Sequence, residues 1–179
     1  DLLELDAGVL VVDEAFGDAT PELSVTPLAG TPEAPNLIVL RSLGKFFGLA
    51  GVRVGFVFAA PELLRRMQEA MGPWTVSGPS REAARLALAD TAWQAAARPQ
   101  LQAAGERLHQ LLAPLGEVKA TALFATLSSP HSNELFDYLA RRAILTRRFD
   151  QQPLLRCGLP ADEAGWQRLA TALNEWKPA

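Results

Sequence analysis

The stretch that decides the fold is SLGKFFGLAGVRVGF, residues 42–56. It begins where one apolar run ends, residues 36–40 (NLIVL), and leads into another, residues 54–59 (VGFVFA). Short β-branched runs of this kind read as strands buried on both faces. Gly48, Gly51 and Gly55, in the link and just after it, let a backbone turn tightly and come close to a ligand. Lys45 follows the first strand with Leu43, Phe46 and Phe47 around it. Such neighbours are expected to strip water from the ammonium, which disfavours its charge and frees the amine for Schiff-base chemistry. Ser42 and Arg53 flank it with a hydroxyl and a guanidinium, a pair suited to a phosphate. A P-loop is rejected, because it needs a glycine where Val39 stands and a Ser or Thr where Phe46 stands.

Upstream, residues 8–12 (GVLVV) repeat the buried-strand pattern and end in DEAF, residues 13–16. Open α/β sheets place ligand sites at the carboxyl ends of their strands, so Asp13 is a candidate for the same site. An aspartate there also suits a plain turn or helix cap. Residues 20–35, rich in Pro and Gly, read as loop with one helical turn. Downstream, residues 62–71 read as an amphipathic helix stopped by Gly72 and Pro73, and the Ala-rich residues 80–115 as one or two helices broken near Pro99. Strands are expected at residues 120–127, 144–146 and 154–157, with helices at 133–142 and 161–176. The first part is of parallel-strand type and the rest α+β. The expected division is a partial large domain at 1–72, a connecting segment and start of a long helix at 73–90, and a small domain at 91–179.

Composition narrows the classes. The 179 residues carry a net charge of −3, with 49% hydrophobic and 21% charged residues, as in ordinary globular domains. That balance argues against nucleic acid as the main partner and against a disordered chain. The apolar runs fall far short of the roughly 20 residues that span a bilayer, so no membrane partner is expected, and no signal segment opens the chain. One cysteine, Cys157, rules out an internal disulfide and points to a reducing cytoplasm. Two histidines, His109 and His131, leave no multi-histidine metal site. The chain starts at Asp1 rather than Met, close to a buried strand, so a preceding segment is expected to have been removed.

DEAF and SLGKFFGLAGVRVGF together resemble the fold-type I pyridoxal-phosphate enzymes, in the branch of histidinol-phosphate aminotransferase and threonine-phosphate decarboxylase. DEAF rather than DEAY, SLGK rather than a TLSK type, PWTVSGP (residues 73–79) and RCGLP (residues 156–160) are more similar to the decarboxylases of cobalamin biosynthesis. The resemblance runs over essentially the whole chain but covers only the C-terminal half of such an enzyme. It implies an α/β fold, the C-terminal part of the large parallel-sheet domain plus the small α+β domain. It implies pyridoxal 5′-phosphate as cofactor, with Lys45 as the Schiff-base lysine, Asp13 on the pyridine nitrogen, and Ser42 and Arg53 on the cofactor phosphate. Arg156 matches the arginine for the substrate carboxylate; Arg147, or its neighbour Arg148, matches one that faces the substrate phosphate. Phe16 replaces a tyrosine found in many aminotransferases, so one hydrogen bond of about 0.5–1.5 kcal/mol to the ring oxygen is absent. Tyr138, the one tyrosine, reads as a packing residue.

The implied reaction is decarboxylation of a small phosphorylated amino acid, L-threonine O-3-phosphate, to aminopropanol phosphate by a cytoplasmic homodimer. The alternatives are a histidinol-phosphate-type aminotransferase and a non-catalytic truncated fragment. Residues that stack on the ring and reach its oxygen belong to the family's N-terminal half, so this chain alone is expected to be inactive.

Overall fold

A computed structural model of the chain describes residues 8–178. It divides into two compact units, one reaching Ala95 and the other starting at Ala96.

The first unit is built on a three-stranded sheet in the order β1 (Leu10–Asp13), β2 (Leu37–Ser42), β3 (Gly55–Phe58). β1 and β2 are parallel, with Leu10 opposite Leu37 and Asp13 opposite Leu40. β3 departs from the parallel pattern and runs antiparallel to β2, with Ser42 opposite Gly55. A parallel partner needs a crossover, usually a helix, whereas residues 43–54 fold back beside the strand they left. One sheet face packs Leu10, Val12 and Phe58 around buried Ala34, Leu37 and Val39. On the other face of β1, Val11 is 54% exposed. Two helices come next, α1 (Pro61–Met71) and α2 (Gly78–Ala89). α1 opens on a proline, whose missing N–H is unpaired in a first turn anyway. Ala84 of α2 packs with Leu43 and Val54, so α2 is part of this unit's core.

The break expected near Pro99 lies instead at Asp90, between α2 and α3 (Thr91–Leu112). The Asp90 amide closes α2 on the Leu86 carbonyl, and its carboxylate accepts from the Trp93 amide at 2.9 Å. Capping starts a new helix there. Pro99 only withholds a hydrogen bond from the Ala95 carbonyl, and α3 continues through it.

The second unit is a two-layer α/β sandwich. Its sheet has the order β4 (Glu117–Ala120), β5 (Phe124–Ser128), β7 (Leu154–Gly158), β6 (Arg147–Phe149), antiparallel throughout. α4 (Ser132–Ala140), α5 (Glu163–Glu175) and the C-terminal turns of α3 cover one face. Leu108, Leu112, Leu127, Leu135, Leu139 and Leu155 are each at most 1% exposed there. Gly105 is required in α3, since a Cβ would lie 2.4 Å from the Thr121 carbonyl oxygen. The single strand read over residues 120–127 is two strands joined at Thr121, whose Oγ1 accepts from the amides of Leu123 and Phe124. The strand expected at 144–146 lies further on at Arg147–Phe149. Ile144 is still engaged in closing α4, its amide bonded to the Leu139 carbonyl, with Ala143 before it in the left-handed region. Among the described residues no helix is long and apolar enough to cross a membrane, and no cluster of His, Cys, Asp or Glu could hold a metal.

Candidate functional site

The first unit gathers four of the expected residues at one end of its sheet. Asp13 is the last residue of β1 and pairs in register with Leu40, so the two share a face, and Ser42 lies two residues further along that face. The antiparallel return of β3 sets Gly55 opposite Ser42 and so brings Arg53 back beside the start of the glycine-rich link. Leu43 N–H bonds the Val54 carbonyl at 3.4 Å, which closes that link at its base. Lys45 sits just beyond, its Nζ 5.2 Å from the centroid of the Phe16 ring. Asp13 Oδ1 accepts from the Ala15 amide, Ser42 Oγ from the Gly44 amide, and Arg53 donates to the Ala50 carbonyl. Arg53 holds φ 56° and ψ 45°, a left-handed conformation that costs a non-glycine residue of the order of 1 kcal/mol.

The expected desolvation of Lys45 is corrected here. Its side chain is exposed, because Phe46 turns inward to 4% exposure and both aromatic neighbours pack on Trp93 instead of on the amine. Asp13 and Arg53 are exposed as well. None of the ion pairs formed among the described residues uses Lys45 or Arg53.

The second unit carries the two arginines. Arg147 on β6 stands directly opposite Arg156 on β7, and Thr126 stands opposite Arg156 on its other side. Directly paired residues share a face, and this face is the one without helices. Arg148, one residue along, projects to the helix side and lies 5.1 Å over the Phe136 ring of α4. Arg147 and Arg156 therefore share a face, and Arg148 lies on the opposite one. Neither forms an ion pair among the described residues. Like charges directly across a ladder repel, and a forked guanidinium pair of this kind is chemically suited to an anion. Aromatic rings back both guanidiniums, Phe124 at 5.0 Å from Arg156 and Phe149 at 5.2 Å from Arg147. Sequence reasoning passed over both rings, although Phe149 has the two-residue spacing that places it on the face of Arg147.

It also passed over the acids beneath the first site. Glu14 is 9% exposed and accepts from Ser24 Oγ at 2.6 Å, the Val25 amide at 2.6 Å and Thr26 Oγ1 at 3.0 Å. Burial alone would raise its pKa, but these donors and the charge of Arg41 outweigh it and hold the carboxyl below its usual range. Asp18, 4% exposed, pairs with Arg41 of β2. Cys157 faces the core and burial pushes its thiol up to about 12, which removes it as a nucleophile near neutral pH.

Comparison with known proteins decides the family. The sequence pattern of aminotransferase class I and II matches residues 1–173. The chain belongs to the class I and II aminotransferase family. Within it, the chain is 51% identical over 177 residues to a threonine-phosphate decarboxylase of Pseudomonas aeruginosa, covering 98% of this chain and 53% of that protein. It is 34% identical over 157 residues to a histidinol-phosphate aminotransferase of Neisseria gonorrhoeae, covering 86% and 43%. The crystal structure of histidinol-phosphate aminotransferase from Sinorhizobium meliloti in complex with pyridoxal-5′-phosphate superposes with a TM-score of 0.78 at 22% identity, over 93% of this chain and 48% of that one. That likeness fixes the fold, an α/β part of a fold-type I aminotransferase. The chain spans about half the length of the curated relatives it matches.

Proposed function

We propose that this chain carries the lysine-bearing part of a pyridoxal-phosphate lyase that decarboxylates L-threonine O-3-phosphate to aminopropanol phosphate, in the synthesis of cobalamin. The observation that carries the reading is the assembly of Lys45, Asp13, Ser42 and Arg53 at one sheet end, with a separate guanidinium pair in the second unit. The first set fits the cofactor: an exposed amine for its aldehyde, a carboxylate for its ring nitrogen, and a hydroxyl with a guanidinium for its phosphate. Left-handed Arg53 adds to the fit, since strain of that kind persists where a side chain must be aimed.

Bound there, pyridoxal 5′-phosphate supplies an electron sink for the charge left when a bond to the substrate's α-carbon breaks. Asp13 keeps the ring nitrogen protonated by pairing with it, and Ser42 and Arg53 hold the phosphate. Lys45 provides the covalent anchor and moves a proton at the α-carbon. Arg147 and Arg156, paired on one face of the second unit, would take the anionic groups of the substrate, the phosphate and the carboxylate, through their guanidinium forks. In the decarboxylation the carboxylate leaves as carbon dioxide and a proton takes its place. Arg147 and Arg156 hold two anionic groups without any need for a second keto acid. We also take the working protein to be a cytoplasmic homodimer, the cytoplasmic part supported by the one cysteine, which is buried and free.

The test offers threonine phosphate alone to the gene product expressed at full length and tracks carbon dioxide over many turnovers. Sustained release is expected. A requirement for an added 2-oxo acid, with formation of its amino acid, would make the protein an aminotransferase instead.

A further inference from the structure

Two buried acids in the first unit, Glu14 and Asp18, touch neither substrate nor cofactor in the proposed reaction, yet both sit under its site. Alternation along the chain sends Asp13 to the exposed face and Glu14 to the buried one. The Glu14 main chain is bonded at both groups, its amide to the Leu40 carbonyl at 2.8 Å and its carbonyl to the Gly17 amide at 2.8 Å. Its side chain reaches into the loop after β1 and takes three donors there. One of these, Ser24 Oγ, also accepts from the Thr26 amide at 3.2 Å, so the loop is knotted around the carboxylate. Four residues after Glu14, Asp18 crosses to Arg41, the residue that precedes Ser42. A cleft of about 90 Å³ lined by Asp18, Arg41 and Ser42 lies beside this pair.

We infer that Glu14 and the Asp18–Arg41 pair are positioning residues: Glu14 fixes the loop that follows Asp13, the Asp18–Arg41 pair ties that loop to the strand that ends at Ser42, and together they set where Asp13 meets the cofactor's ring nitrogen. The two halves of the site come from segments about thirty residues apart in sequence. Main-chain pairing ends where the Glu14 amide meets the Leu40 carbonyl; beyond that point the Asp18–Arg41 pair carries the connection to β2, and the Glu14 side chain holds the loop that bears Ser24, Val25 and Thr26. The inference rests on the proposed cofactor role of Asp13, and its test separates the two.

The test measures the dissociation constant of pyridoxal phosphate by absorbance for the full-length gene product. The variants are Glu14→Ala, Glu14→Gln, Asp13→Asn and the double variant Asp13→Asn/Glu14→Ala. Gln keeps the length and an oxygen for the Val25 amide, so it should bind within about threefold of the parent. Ala should weaken binding by tenfold or more. The same variants are read by hydrogen exchange at Val25 and Thr26, which should quicken in Glu14→Ala while the second unit keeps its protection. The double variant should bind about as weakly as Asp13→Asn, because Glu14 acts through Asp13; independent sites would instead multiply their losses. Parent-like affinity in Glu14→Ala, or multiplying losses in the double variant, overturns the positioning role and leaves the cofactor reading intact. Failure of the parent protein to bind pyridoxal phosphate overturns both.

Discussion

The two units solve different problems. The second closes a leucine core between one antiparallel sheet and its helices, and keeps its polar face for two arginines. The first unit places its buried polar groups in a wired loop, with Glu14 and Asp18 each bonded by neighbouring side chains. Stability in the second unit comes from apolar area; order in the first comes from hydrogen bonds and backbone turns around a site.

The widest gap between the units is expected in chemistry. Lys45→Ala should cut turnover by about 10⁴-fold or more, the upper range for a positioned proton-transfer group, while melting stays within a degree or two of the parent. Borohydride reduction and peptide mapping of the parent should put the pyridoxyl label on Lys45; a label on another lysine would remove this site from consideration. In the second unit the effect on stability should dominate. Leu127→Ala, at a fully buried position, should cost about 2–5 kcal/mol in denaturant unfolding. Val11→Ala should cost at most about 0.5 kcal/mol in the same assay. Equal losses at the two positions would erase the contrast in packing.

The arginines sharpen the comparison between the two faces of the β6–β7 pair. Arg156→Ala should lose about 2–5 kcal/mol in kcat/KM, as when one partner of a desolvated charge pair is removed. Arg148→Ala, on the helix side, should stay within about 0.5 kcal/mol. A reversed order would mean that the register of β6 and β7 does not determine the site.

The smallest expected signals are ionic and run in opposite directions of pH. Glu14 has its folded pKa lowered from 4.5, so its contribution is complete above that value and is lost as pH falls through the folded pKa. The protection of Val25 from hydrogen exchange, taken relative to the free-peptide rate at each pH, should therefore fall in acid, and Glu14→Gln should flatten that dependence. Cys157 has its folded pKa raised from 9.0 to about 12, so its contribution is complete below pH 9 and declines as pH climbs toward 12. Thiol reagents at pH 8 should label it only after unfolding.

The site was more legible than the fold's details. Ser42, Lys45 and Arg53 lie close together in sequence beside apolar runs, and Asp13 ends one, so short-range pattern was enough to single them out as candidates that the sheet then brings to one end. The separation of Arg147 from Arg148 needed the β6–β7 register, which no local pattern contains. The turn at Thr121 has no Gly, Pro, Asn or Asp; one threonine hydroxyl makes it, and alternation alone cannot show that. Pro99 looked like the stronger breaker than Asp90, because a proline's effect is visible in sequence, whereas an aspartate caps only if the residues after it turn back to meet its carboxylate. Glu14 was invisible because its three partners come from a loop whose path is decided by packing.

The adjacency of Arg147 and Arg156 has a consequence for the empty state of the protein. β6 is only three residues long, at the edge of its sheet, and one of its rungs holds two positive charges face to face. Raising ionic strength should calm that rung by screening, and a dianion should do so far more strongly by bridging it. The substrate would then act as a mortar for the edge strand: phosphate-bearing ligands should raise the melting temperature in proportion to the logarithm of their concentration, and sodium chloride should blunt the gain.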